Sequence, residues 1–195
     1  MLKSLAVFVS GSGSNLQSLI DATNTGYIDN AQVKLVIASK CEIYAIERAK
    51  KANIEYLVFD KNNYDRLDNM FDEIITVLSE KNIDYIVLAG YLTILPQNII
   101  KEYGGRIINI HPSLIPNFCG DGYYGMRVHR AVIEQKVKKT GATVHFVDEG
   151  VDTGEIILQE EIDVLENDTP ESLQKRVLAL EHTLLPKAIK FLTKE

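Results

Sequence analysis

The sequence has no tryptophan, and aromatic residues make up only 8% of its 195 positions, so a core has to be built mainly from aliphatic side chains. Cysteine is almost as scarce. Cys41 and Cys119 lie far apart, and neither has the close neighbour that a metal site or redox motif requires. This excludes a disulfide framework and indicates a reducing compartment. Positive charge is in the minority, with 21 Lys and Arg against 27 Asp and Glu and a net charge of -6. Nucleic acids and anionic membranes need a dense basic patch, so neither partner is expected. A small anion held by a few local donors remains compatible with this balance. No apolar run approaches a membrane span, and the opening "MLKSLAVFVSGSGSN" turns polar early without a secretory cleavage pattern. A soluble, cytoplasmic protein is the expectation. The histidines His111, His129, His145 and His182 form no HExxH pair, so no metal is expected either.

What is present is a hydrophobic content of 46%, enough for one well-buried core, and a single domain over residues 1–195 is expected. Short apolar, β-branched runs ("LAVFV", "VKLVIAS", "YLVF", "YIVLAG", "IINI") alternate with segments of helical period. This is the pattern of an α/β fold, an open, twisted, mostly parallel sheet with helices on both faces. "NLQSLIDATN" puts Leu16, Leu19 and Ile20 on one helix face, and "YDRLDNMFDEIITVLSEK" does the same with Leu67, Met70, Phe71, Ile74 and Leu78. "TVHFV" and "EIILQEEIDV" read as two further strands. The last helix is expected to start with Thr169 as N-cap and Pro170 in its first position.

Ligands of such sheets bind beyond the carboxyl ends of the strands, and three loops carry chemistry suited to that place. "SGSGSN", Ser10 to Asn15, joins the first strand to the first helix. Its glycines let backbone amides approach a phosphate at a helix N-terminus, although a plain tight turn would also use them. It lacks the Lys-Ser/Thr ending of a P-loop and the third glycine of a dinucleotide fingerprint, so a phosphate on a small ligand fits better than ATP or NAD. The second is "NIHPSLIP", where Asn109 and His111 alternate in an extended chain and share one face. Such a pair can hold a carbonyl oxygen that turns into an oxyanion, and a lone His at a strand end can equally be structural. Ile115-Pro116 is a candidate cis bond. The third is "GATVHFVDEGVDTGEIILQ", whose Asp148, Glu149 and Asp152 are expected to converge at one end of the sheet. A carboxylate beside His111 would raise its pKa. A solvated acidic turn is the plainer alternative, and the spacing is not that of a calcium loop. His129 reads as a helix residue and His145 as a strand residue.

Taken together, "SGSGSNLQ", "VLAGYLTIL", "NIHPSLIP", "GATVHFVDEGVDTGEII" and the "EH" of the last helix resemble the phosphoribosylglycinamide formyltransferases, folate-dependent enzymes of purine synthesis. The resemblance covers nearly the whole chain and implies the formyltransferase fold, with a Rossmann-like N-terminal half. It implies a phosphate- and substrate-binding half over about 1–104 and a catalytic, folate-binding half over about 105–195. The chain's length matches these single-domain members and not the relatives that carry an additional domain. The implied catalytic residues are Asn109, His111 and Asp152. The implied contacts to phosphoribosylglycinamide are Gly11, Ser12, Gly13, Ser14 and Asn15 for the phosphate and Glu181 for the amine. Taken alone, Glu181 reads as an ordinary charge on a helix surface. For the formyl folate the resemblance implies Lys61 near the tail, Leu92, Thr93, Ile94 and Leu95 along the pocket, Asn109, and the loop Asp148, Glu149, Gly150, Val151 and Asp152. The co-substrate is then 10-formyltetrahydrofolate, the partners are small molecules alone, and the chain is a monomer or homodimer. One segment departs from the family's common pattern. "NFCGDGYYGMRVH" is longer than usual and carries Gly120, Gly122 and Gly125; a flap over the site with Tyr123 and Tyr124 packing on a ligand is one reading, and an ordered surface loop is the other.

Overall fold

The computed structural model describes residues 2–194. Seven strands form one sheet: β1 (Lys3–Val9), β2 (Ala31–Ala38), β3 (Glu55–Val58), β4 (Tyr85–Leu88), β5 (Ile107–His111), β6 (Lys139–Phe146) and β7 (Ile156–Asp163). The helices are α1 (Ser14–Asn24), α2 (Tyr44–Lys51), α3 (Leu67–Glu80), α4 (Gln97–Glu102), α5 (Met126–Glu134) and α6 (Pro170–Leu192). The strand order is β3-β2-β1-β4-β5-β6-β7. β1 to β5 are parallel, whereas β6 is antiparallel to both β5 and β7. The fold class is therefore the one the alternating runs predict.

The continuous apolar character of β1 follows from burial on both faces of the sheet. Leu5, Val7 and Val9 join a core with α1, α2, α5 and α6, and Ala6 and Phe8 join a second core with α3 and α4. Met70, Phe71, Ile74 and Leu78 of α3 are fully buried in that second core, each stabilising the fold by about 1.5–3 kcal/mol. At the start of α6, Thr169 accepts from the Ser172 amide, Ser172 caps it in return, and Pro170 opens the helix. Helices α2 and α4 have 8 and 6 residues, too short to announce themselves by periodicity alone. Among the described residues, no helix is long and apolar enough to cross a membrane.

The strand order reverses between β1 and β4, which opens a crevice beyond their carboxyl ends. The loops after these two strands meet there, where the Leu92 amide donates to Ser10 Oγ over 3.1 Å. The acidic loop arrives differently from the expectation. Because β6 runs against β5, the loop after it leaves from the opposite end of the sheet and folds back along the face to reach His111.

Candidate active site

Alternation along β5 sends Ile108 and Ile110 into the core and leaves Asn109 and His111 on a common face. That face is one wall of a cavity of about 400 Å³. The loop after β4 supplies Leu92, Thr93, Ile94 and Leu95, the segment after β5 supplies Gly120 to Gly125, and the β6–β7 loop supplies Gly150, Val151 and Asp152. Leu92 and Ile94 are each more than 60% exposed, an apolar rim that suits a flat heterocycle better than it suits water. Tyr91 in the same wall packs its ring edge to face on Phe8, and burial pushes the pKa of its hydroxyl up to about 12.

Antiparallel pairing places His145 of β6 directly opposite Asn109. His145 Nδ1 bonds the Phe146 carbonyl at 2.7 Å, and its Nε2 lies 3.1 Å from Asn109 Nδ2. The Asp152 carboxylate closes the cluster. Its Oδ2 stands 3.4 Å from His111 Nδ1 and accepts the Gly120 amide at 3.0 Å. Its Oδ1 accepts from Asn109 Nδ2 at 3.4 Å and lies 3.7 Å from His145 Nε2. Burial would push Asp152 up, but His145, His111 and the Gly120 amide outweigh it and hold the carboxyl below the usual carboxylate range. Asp152 achieves this reach in the left-handed region, at φ 58°, a conformation Asp tolerates better than most residues.

His111 departs from the expected rise in pKa. The side chain is 6% exposed, and this burial pushes it below the ordinary imidazole range, while Asp152 and the Phe118 carbonyl recover only part of the shift. Its Nε2 donates to that carbonyl over 2.9 Å. Both ring nitrogens therefore face acceptors, so the imidazolium is the form that both partners bond, and desolvation is what opposes it. The segment Asn117 to Gly125 is folded against the site, bonded to it at Phe118 and Gly120. Ser113 Oγ donates to the Asn117 carbonyl over 2.7 Å, and Tyr123 meets Phe118 edge to face. The bond between Ile115 and Pro116 is cis.

The loop Gly11 to Asn15 forms a second cluster, next to Ser10, whose Oγ accepts the Leu92 amide of the cavity wall. Gly13, at φ 71°, caps α1 without any side-chain bond, so the first-turn amides have no partner within the helix. Asn15 is turned inward, donating from Nδ2 to Glu181 Oε2 over 2.6 Å. Glu181 is thus not a surface charge: it is buried, and desolvation pushes its pKa up to about 7 against the pull of the Asn15 bond.

Three expected residues are not brought to the site. Lys61 sits exposed in a single 3-10 turn after the edge strand β3, with β2, β1 and β4 between it and β5. Asp148 accepts from the Gly150 amide and from Thr153 Oγ1, bracing its own loop, and Glu149 is exposed beside it. The acidic loop thus delivers one carboxylate, not three, because Asp148 is committed to a local turn. His145 and His129 are the residues sequence reasoning undervalued. His129 on α5 is 2% exposed, and burial, reinforced by His111, pushes its pKa down to about 4. Only the β5–β6 register signals His145. Among the described residues, no group of three or more His, Cys, Asp or Glu is placed to hold a metal ion.

With this geometry in place, the chain can be set beside known proteins. Residues 3–189 match the family model described as formyl transferase. The chloroplastic phosphoribosylglycinamide formyltransferase of Arabidopsis thaliana is 42% identical over 93% of this chain and 62% of its own length. The phosphoribosylglycinamide formyltransferase of Haemophilus influenzae is 38% identical over 98% of this chain and 88% of its own. The solved phosphoribosylglycinamide formyltransferase of Bacillus halodurans superposes with a TM-score of 0.92 at 38% identity, over 99% of this chain and 96% of that one. The chain spans 62% of the two plant relatives and 13–14% of the insect trifunctional purine biosynthetic proteins it matches.

Proposed function

The chain belongs to the formyl transferase family, and from that premise we propose that it transfers the formyl group of 10-formyltetrahydrofolate to the amine of 5'-phosphoribosylglycinamide. The products are formylglycinamide ribonucleotide and tetrahydrofolate. The observation that carries this reading is the meeting of Asn109, His111 and Asp152 at the wall of the 400 Å³ cavity. An amide donor and an imidazole held by a carboxylate, beside an apolar wall, suit a carbonyl that becomes an oxyanion.

The formyl folate supplies an activated one-carbon group. Its flat ring system suits the wall of Leu92, Ile94, Leu95 and Val151. The amine attacks the formyl carbon, the new C–N bond forms, and negative charge grows on the formyl oxygen. Asn109 Nδ2 and protonated His111 meet that charge, with Asp152 stabilising the imidazolium. For these donors to reach the oxygen, the Phe118 carbonyl has to give up the Nε2 proton of His111, and Asn109 Nδ2 has to release its long bond to Asp152 Oδ1. The bond to the folate nitrogen then breaks, and the proton lost by the amine ends on that nitrogen. His145 acts as a positioning residue, since its Nε2 fixes the rotamer of Asn109. The amides at the start of α1 hold the phosphate. Glu181 receives the amine.

The segment Gly120 to Gly125 acts as a cover over the reacting groups, with Tyr123 and Tyr124 packing on the ligand. The reaction fits a cytoplasmic, metal-free enzyme working on small molecules as a monomer or homodimer. The decisive experiment offers 10-formyltetrahydrofolate and a panel of amines, phosphoribosylglycinamide among them. Selective formylation of phosphoribosylglycinamide supports the reading. Preference for another amine, such as an amino-sugar nucleotide, overturns the acceptor assignment.

A further inference from the structure

Helix α2 touches the phosphate loop at three points. The Ala45 amide donates to the Gly11 carbonyl over 3.2 Å. Arg48 Nε donates to the Ser12 carbonyl over 2.9 Å. A Cβ on Gly13 would come within 2.6 Å of Ala45 Cβ, so the loop is seated directly against the helix. In a trans peptide the carbonyl of one residue and the N–H of the next point in opposite directions. Holding the Gly11 and Ser12 carbonyls toward α2 therefore turns the N–H groups of Ser12 and Gly13 away from it, to the side where an anion would be met.

We propose that Arg48 is a positioning residue for phosphate recognition, clamping the Ser12 carbonyl so that the Gly13 amide is fixed in its anion-binding direction. The guanidinium is itself held in place. Nη1 donates to Gln17 Oε1 of α1 over 3.0 Å, and its carbon lies 5.0 Å from the centre of the Tyr44 ring. One side chain thus ties together the loop, α1 and α2. The planar fork of Arg can serve Ser12 and Gln17 at once, which a Lys ammonium on its single stem does less well. Arg48 touches no reacting group, so its effect falls on affinity for the phosphate-bearing acceptor and not on the chemical step. The inference rests on the phosphate role given above to the Gly11 to Asn15 loop.

The test uses the full chain and inorganic phosphate as probe, read by amide chemical shifts, which needs no catalysis. In the wild type, phosphate shifts the Ser12 and Gly13 amides. Arg48→Met displaces the free-state Gly13 resonance and weakens phosphate binding about tenfold, the loss expected of one ordered donor to an anion. Arg48→Lys recovers part of that loss, and a dispersed spectrum shows that each variant is folded. In turnover, the KM for phosphoribosylglycinamide rises by a similar factor in Arg48→Met, while kcat and the KM for 10-formyltetrahydrofolate stay within about twofold. Wild-type phosphate affinity in Arg48→Met overturns the proposal, as does a wild type whose loop amides ignore phosphate. Weakened binding with an unmoved Gly13 resonance makes Arg48 a distant charge and overturns its positioning role. Absence of formyl transfer by the wild type, with the phosphate result intact, counts against the function reading alone.

Discussion

Asp152 Oδ2 stands 3.4 Å from His111 Nδ1, and each residue is also bonded to the segment after β5, Asp152 through the Gly120 amide and His111 through the Phe118 carbonyl. The pair and that segment are thus one network. Burial pushes His111 below the ordinary imidazole range, and Asp152 is the main influence opposing it. Replacing Asp152 by Asn removes that support, so the pKa of His111 falls further and the pH range in which the ring is protonated moves to lower pH. Titration of the His111 ring carbon resonances in wild type and Asp152→Asn checks the direction. The variant's kcat is expected to fall by about 10²-fold or more, most steeply at higher pH. An unchanged titration removes Asp152 from its role.

Glu181 gives stability a pH dependence of its own. Its folded pKa is raised to about 7 by burial, from an ordinary value of 4.5. The folded state keeps the proton while the unfolded state loses it. The stabilisation is therefore fully present below pH 4.5 and is lost as pH rises toward 7, an order of magnitude of about 3 kcal/mol. Glu181→Gln keeps an amide partner for Asn15 and abolishes this slope. Urea midpoints across that range decide the matter, and a variant with the wild-type slope contradicts it. The KM for the acceptor should also fall as pH rises through about 7 in the wild type, as the carboxylate forms, and this dependence should disappear in the variant.

The cover segment is tested by Tyr123→Ala and Tyr124→Ala. If these side chains pack on the ligand, one or both Michaelis constants rise several-fold in each variant, in keeping with the loss of a partly buried aromatic contact. Two unchanged constants reduce the segment to an ordinary surface loop.

The start of α6 was legible from Thr169 and Pro170, because N-capping is a local interaction between residues close in sequence. Thr169→Ala should lower stability by about 1 kcal/mol without affecting turnover, as thermal melts will read. The parallel strands were legible for a similar reason, since burial on both faces leaves an unbroken apolar run. The pairing of Asn109 with His145, the inward turn of Asn15 onto Glu181 and the return of Asp152 along the sheet were not legible. Each depends on the register or direction of a segment distant in sequence. Asp148, Glu149 and Asp152 look alike in the chain, but one braces a turn, one meets solvent and one enters the site. The burial of His111 reversed the expected direction of its pKa, because sequence suggests the carboxylate neighbour but not the depth of the ring.

The most direct test of the account compares formyl transfer from 10-formyltetrahydrofolate to phosphoribosylglycinamide by the wild type and by His111→Asn, under saturating substrates. The account predicts ready transfer by the wild type and a fall in kcat of about 10²–10³-fold in a variant that remains folded. A folded His111→Asn protein that turns over at the wild-type rate would contradict it.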